Sequence, residues 1–228
     1  MTGARSFEID LRCYVITSGS GRLVVDTAAA AAAAGAGVIQ VREKSLTTWE
    51  LLRFTLNVAR AVREANPETK VVVDDRTDVA YAARHIDDEL VHGVHLGQDD
   101  LPVAAARTML GHSAIIGLTT GTLKLVQEAN QVADSVDYLG AGPYRLTPTK
   151  DSGRPPLGVE GYRPLVATAK MPIVAIGDIR PSDVRRLAAT GVAGVALVRA
   201  VMEAPDPAAV VREVLEAYAG AQARRVAG

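Results

Sequence analysis

Val71-Val72-Val73-Asp74-Asp75-Arg76 is the stretch on which the reading of this chain turns. Three consecutive β-branched residues describe a strand buried on both faces, the signature of a parallel sheet covered by helices. Two carboxylates and an arginine follow without a spacer. Burying adjacent carboxylates is costly unless a cation or hydrogen bonds compensate, so the strand is expected to end in an open site facing positive charge. A hard cation such as Mg²⁺ suits that end, because it takes oxygen ligands and commonly one or two carboxylates beside substrate phosphates. The competing reading is helix capping by Asp75 or Asp78.

Outward from this strand the chain alternates short apolar runs with helical segments. The expected strands are Leu11–Thr17, Val38–Arg42, Lys70–Asp74, Gly93–Leu96, Ala114–Leu118, Val136–Gly140, Pro172–Ile176 and Gly194–Val198. The expected helices are Val24–Ala34, a segment capped by Thr47 or Thr48 and running to Ala65, Asp78–Ile86, Leu101–Leu110, Leu123–Val132, Val159–Lys170, Pro181–Ala189 and one from Pro207 to about Arg225, capped by Asp206. Strand–helix alternation repeated eight times in 228 residues predicts a single-domain (β/α)8 TIM barrel spanning 1–228, with 1–10 as an N-terminal extension. An open doubly wound sheet is the runner-up, but no G-x-G-x-x-G follows the first strand.

Composition narrows the function. The chain is 48% apolar and 22% charged, with a net charge of −1. That excludes nucleic acid or a membrane surface as the main partner and leaves small molecules. Ala28–Ala34 is too short to span a bilayer. No signal peptide is seen at the start, and the single Cys13 fits a reducing, cytoplasmic setting and reads as a small core residue. The sequence leaves oligomeric state open and allows a homo-oligomer.

In such barrels chemistry sits at the C-terminal ends of the strands. After the second strand, alternation puts Gln40, Arg42 and Lys44 on one face, an expensive arrangement unless it holds an anion; a surface cluster with Glu43 is the alternative. Asp100, after the fourth strand, either caps a helix or joins Asp75 in a clamp on a metal. Thr119 and its neighbours add hydroxyls. The long segment after the sixth strand carries Thr147, Pro148, Thr149 and Lys150, a plausible phosphate grip. Gly177, Asp178, Val198 and Arg199 mark the ends of strands seven and eight, where phosphate-binding barrels hold their anion. Two anion sites therefore emerge. The four histidines form no site by spacing, and all are read as structural or exposed.

The ordered motifs QVREK (Gln40–Lys44), DDR (Asp74–Arg76), GVHLGQDD (Gly93–Asp100), GLT (Gly117–Thr119), GAGPYRLTPTK (Gly140–Lys150) and IGDI (Ile176–Ile179) resemble those of the thiamine phosphate synthase family along nearly the whole chain. The resemblance implies the barrel and a reaction: hydroxymethylpyrimidine diphosphate and a thiazole phosphate give thiamine phosphate and pyrophosphate, with Mg²⁺. It implies that Gln40, Val41, Arg42, Glu43, Lys44, Asp74, Thr119 and Lys150 bind the pyrimidine diphosphate, with Arg42, Lys44 and Lys150 catalytic. It places Mg²⁺ on Asp75 and Asp100, and the thiazole phosphate on Thr147, Pro148, Thr149, Gly177, Asp178, Val198 and Arg199. Asp74 and Asp178 depart from the family's usual Asn and Gly. A thiazole tautomerase or a non-catalytic barrel binding thiamine precursors are the competing functions.

Overall fold

The computed structural model describes residues 9–146 and 155–226. Eight parallel strands close on themselves in sequence order: β1 Cys13–Ile16, β2 Val38–Val41, β3 Lys70–Asp74, β4 Gly93–Leu96, β5 Ile115–Thr120, β6 Tyr138–Ala141, β7 Ile173–Ile176 and β8 Gly194–Leu197. Helices α1 Arg22–Ala33, α2 Thr48–Ala65, α3 Thr77–Ile86, α4 Val103–Leu110, α5 Leu123–Gln131, α6 Tyr162–Thr168, α7 Pro181–Ala188 and α9 Pro207–Val226 surround them, with a short α8, Arg199–Met202, after β8. The expected barrel is therefore the observed one.

Alternation along each strand divides the apolar residues into two layers. Ile39, Val41, Val71, Val73 and Val94 point outward and pack under the helices. Tyr14, Ile16, Val38, Val72, Ile115, Tyr138, Val174 and Ala196 fill the barrel interior, with Leu11 and Ile9 beneath them. Close approach at the barrel floor requires glycine: a Cβ at Gly194 would lie 1.6 Å from the Leu11 carbonyl oxygen. Cys13 is fully buried and burial pushes its thiol up to about 12, so it is an inert core residue.

Local signals explain several boundaries. Thr47 caps α2 by a reciprocal pair: its hydroxyl accepts from the Glu50 N–H, and the Glu50 carboxylate accepts from the Thr47 N–H at 2.9 Å. Asp206 accepts from the Ala209 N–H at 2.9 Å at the start of α9. Other expectations need correction. Asp75 and Asp78 do not cap α3, whose first turn has no side-chain cap; Asp78 instead takes Arg76 Nε at 2.8 Å. Pro102 precedes α4 rather than lying in its first turn. β5 runs on to Thr120, carrying Thr119 within the strand. The segment expected as a helix over Val159–Lys170 is helical only over Tyr162–Thr168, and α8 was not expected at all.

His92 lies at the opposite end of β4 from the cavity described below. Its Nδ1 accepts from the Val71 N–H at 3.0 Å, which requires a lone pair there. Burial, with Lys70 and Arg84 nearby, pushes His92 down to about 4 from an ordinary 6.5. The unfolded chain therefore takes up a proton that the folded one refuses. Stability present above pH 6.5 is lost as pH falls toward 4, by on the order of 2 kcal/mol after solvent screening. Denaturant titrations across this range in the wild type and His92→Gln check it: the variant is expected to lack this component of the pH slope.

Candidate active site

The C-terminal ends of the strands open into a cavity of about 420 Å³ that reaches down to Tyr14, Tyr138, Val174 and Ala196. One wall is acidic and basic at once. Asp74, the last residue of β3, is held by Gln40 Nε2, by Arg42 Nε at 3.3 Å and by Lys44 Nζ at 2.9 Å. Lys44 also reaches Asp75. Strand alternation aims Gln40 inward, and the turn after β2 returns Arg42 and Lys44 to the same side, as the sequence predicts. Burial opposes the charge of Lys44, but its hydrogen bonds to Asp75 and Asp74 outweigh that and raise its pKa.

Asp75 sits in the left-handed region at φ 60°, where the chain leaves β3; its N–H still bonds the His95 carbonyl at 2.8 Å. Asp100 does not cap α4. Its Oδ2 accepts the Gly97 N–H at 2.6 Å, and its carboxyl is hydrogen-bonded to that of Asp75. Burial, and then the neighbouring Asp75 carboxylate, raise the pKa of Asp100 against the opposing Gly97 N–H. Two carboxyl groups drawn together from the turns that follow adjacent strands, one of them inclined to keep its proton, suit a hard divalent cation. Among the described residues no cluster of three or more His, Cys, Asp or Glu is disposed for a metal, so further ligands would come from water or substrate.

The far wall is built by β7 and β8. Gly177, at φ 120°, leaves no room for a Cβ, which would lie 2.4 Å from the Tyr144 nitrogen. Asp178 is also left-handed, at φ 49°, and its Oδ1 receives Arg199 Nη2 at 2.5 Å. Val198 completes this wall. The chain before and after the Thr147–Lys150 motif is pinned here: Tyr144 N–H to the Ile176 carbonyl at 2.7 Å, Leu157 N–H to that of Pro143 at 2.8 Å. Arg145 bonds the Asp178 carbonyl at 2.9 Å and clamps Asp183. Burial alone would raise the Asp183 pKa, but Arg145 and the Arg180 N–H hold it below the ordinary range.

Gln40, Arg42, Asp74, Asp75, Asp100, Thr119, Gly177, Asp178, Val198 and Arg199 thus line one cavity, with Lys44 at its edge. Val41 does not: its side chain is buried outside the barrel. The Glu43 carboxylate folds onto Ser45, taking its N–H at 2.8 Å and hydroxyl at 2.7 Å. Thr147, Pro148, Thr149 and Lys150 lie outside the described residues. His95, read from the sequence as structural or exposed, is half-buried and stands at this site. It lines the cavity, bonded through Nδ1 to Tyr138 and through Nε2 to Thr119. The signal was register: His95 stands beside Asp74 across β3 and β4, so both share a face. Tyr14 and Tyr138 were missed with it.

Comparison with known proteins identifies the family that shares this fold. The family model described as thiamine monophosphate synthase matches residues 13–201. Thiamine-phosphate synthase of Corynebacterium jeikeium is 54% identical over 219 residues, covering 96% of this chain and all of that protein (100%). Its counterpart in Corynebacterium efficiens is 55% identical over 210 residues, 92% of this chain and 95% of the relative. A solved thiamine phosphate pyrophosphorylase from Pyrococcus furiosus superposes with a TM-score of 0.79 at 32% identity, over 93% of this chain and 98% of that one. The chain belongs to the thiamine monophosphate synthase family and is an enzyme of that type, a transferase of thiamine biosynthesis.

Proposed function

We propose that this enzyme joins hydroxymethylpyrimidine diphosphate to a thiazole phosphate, releasing pyrophosphate and forming thiamine phosphate. One observation carries the reading: Arg42 and Lys44 converge on Asp74 and Asp75 beside Asp100, across one cavity from Gly177 and Arg199. Cations on one wall suit a diphosphate; backbone groups and a guanidinium on the other suit a monophosphate.

Asp75 and Asp100 would hold Mg²⁺, which when bound supplies charge neutralisation to the diphosphate. Arg42 and Lys44 share that role, fixed in advance where negative charge grows. The bond between the pyrimidine methylene and the diphosphate oxygen breaks, and its electron pair leaves with the diphosphate. The methylene cation, spread into the aminopyrimidine, then accepts the thiazole nitrogen lone pair. No proton moves in these steps, in keeping with a cavity rich in anion-binding groups. Ile16, Val174 and Ala196 supply the apolar part of the lining beside the cation, which would limit the water that reaches it. Lys150 belongs to this reading from its motif.

The test mixes both substrates with the purified chain, with and without Mg²⁺, and follows pyrophosphate and thiamine phosphate together. Equal release in excess chelator would remove the metal assignment, and release of neither product would remove the function. Cation affinity is expected to weaken as pH falls, earlier than for an ordinary aspartate pair. The raised pKa of Asp100 means it takes up its proton at higher pH, and the proton and the cation compete. Mg²⁺ titrations at stepped pH check this; a pH-independent affinity would contradict it. No helix among the described residues is long and apolar enough to cross a membrane.

A further inference from the structure

Across the barrel interior, one side chain from each of β1 to β6 joins a single hydrogen-bond chain. Asp74 Oδ1 accepts from Gln40 Nε2, and Gln40 Oε1 accepts from the Tyr14 hydroxyl at 2.8 Å. The Tyr14 and Tyr138 hydroxyls are 2.7 Å apart, Tyr138 lies 3.0 Å from His95 Nδ1, and His95 Nε2 lies 2.9 Å from Thr119 Oγ1. The slot for the imidazole is built in. A Cβ on Gly117 would lie 2.4 Å from His95 Nδ1 and 2.2 Å from the Tyr138 ring, and one on Gly140 would lie 3.0 Å from His95 Cε1.

A hydroxyl has one hydrogen, an amide nitrogen only donates, and an amide oxygen only accepts. These limits fix a direction. The Asp74 carboxylate accepts, so Gln40 turns its nitrogen toward it and its oxygen toward Tyr14. Tyr14 gives its hydrogen to Gln40 and so receives that of Tyr138. Tyr138 therefore receives the Nδ1 hydrogen of a neutral His95, leaving a lone pair on Nε2 that takes the hydrogen of Thr119. We infer that His95 is a positioning residue whose tautomer is dictated by Asp74 from across the barrel, so that Thr119 offers the cavity lone pairs alone. The substrate group met there is an N–H donor, such as a ring amino group, and not a phosphate oxygen. The choice of amino group rests on the proposed function; the polarity of the chain does not.

The experiment has two arms. In the first, the full chain is labelled with ¹⁵N-histidine and the His95 tautomer is read by proton–nitrogen correlation at neutral pH, its signal assigned by loss in His95→Gln. The Nδ1–H form is expected. Asp74→Asn is nearly isosteric and should keep the fold. Its side-chain oxygen should stay with Arg42 and Lys44, which both meet Oδ2, turning its nitrogen toward Gln40. The whole chain then inverts, and His95 switches to Nε2–H. An Nε2–H or doubly protonated ring in the wild type, or no switch in Asp74→Asn, would overturn the polarity.

In the second arm, Thr119→Val is expected to raise KM for the pyrimidine diphosphate about tenfold, the worth of one neutral hydrogen bond, and to leave that for the thiazole phosphate unchanged. A pyrimidine analogue with hydrogen in place of the amino group should bind both proteins equally. Equal rises in both KM values, or an analogue that still distinguishes the two proteins, would overturn the substrate half. Absence of product from the wild type would overturn that half together with the proposed function, while the tautomer arm still decides the polarity.

Discussion

Asp75→Asn is expected to lower kcat by on the order of 10²-fold or more, and Lys44→Ala by a similar factor, the loss seen when one fixed charge-stabilising group is removed. The structure argues that neither change should unfold the barrel. Asp75 occupies a left-handed backbone position at φ 60°, which Asn tolerates as readily as Asp. Lys44 is half exposed, at 51%, so its truncation opens no buried void. Arg42 remains on Asp74 at 3.3 Å, so Lys44→Ala does not strand that carboxylate. Steady-state kinetics with both substrates, read beside circular dichroism melting, separates catalytic from structural loss. Unchanged turnover in both variants would remove the assignment of this wall to the diphosphate.

Gly194→Ala is expected to cost about 3 kcal/mol or more of folding stability, the upper end of overpacking penalties. A Cβ there would sit 1.6 Å from the Leu11 carbonyl oxygen and 2.4 Å from its carbon. Both are backbone atoms, so no rotamer change relieves the overlap. β8 pairs with β1 at this closing seam, with Val195 beside Cys13, so the strain falls on barrel closure itself. Denaturant unfolding should show a lower midpoint. A variant as stable as the wild type would mean that the seam yields more easily than its packing indicates.

The sequence carries the fold because most strands are short apolar runs buried on both faces, as in Val71–Val73, and each is followed by a helix. Boundaries slipped where the local signal is weak. The four residues of α8, Arg199–Met202, have no side-chain cap and follow β8 after Val198 alone, so no local signal marks them off from that strand. Half of the site was equally legible, because Gln40 faces inward near the end of β2, Arg42 and Lys44 follow it at the same spacing in the turn beyond, and the neighbouring strand ends in Asp74 with Asp75 next to it. His95 was hidden by the same alternation that should have revealed it. One strand alone says that His92 and His95 face opposite ways; only the register with Asp74 says which of them faces inward. Glu43 was overread, because adjacency in a motif does not specify direction, and its carboxylate closes a local turn on Ser45.

The pairing of Arg42 and Lys44 with Asp74 and Asp75 makes the resting cavity electrically quiet: its positive groups are already engaged from within. A lone diphosphate must pull them away from their partners, whereas one arriving with a divalent ion brings a replacement counter-charge for the aspartates. The two newcomers are thus expected to strengthen each other's hold, by the same factor in either direction, and this reciprocity would let the rim pass over the abundant bare phosphates around it.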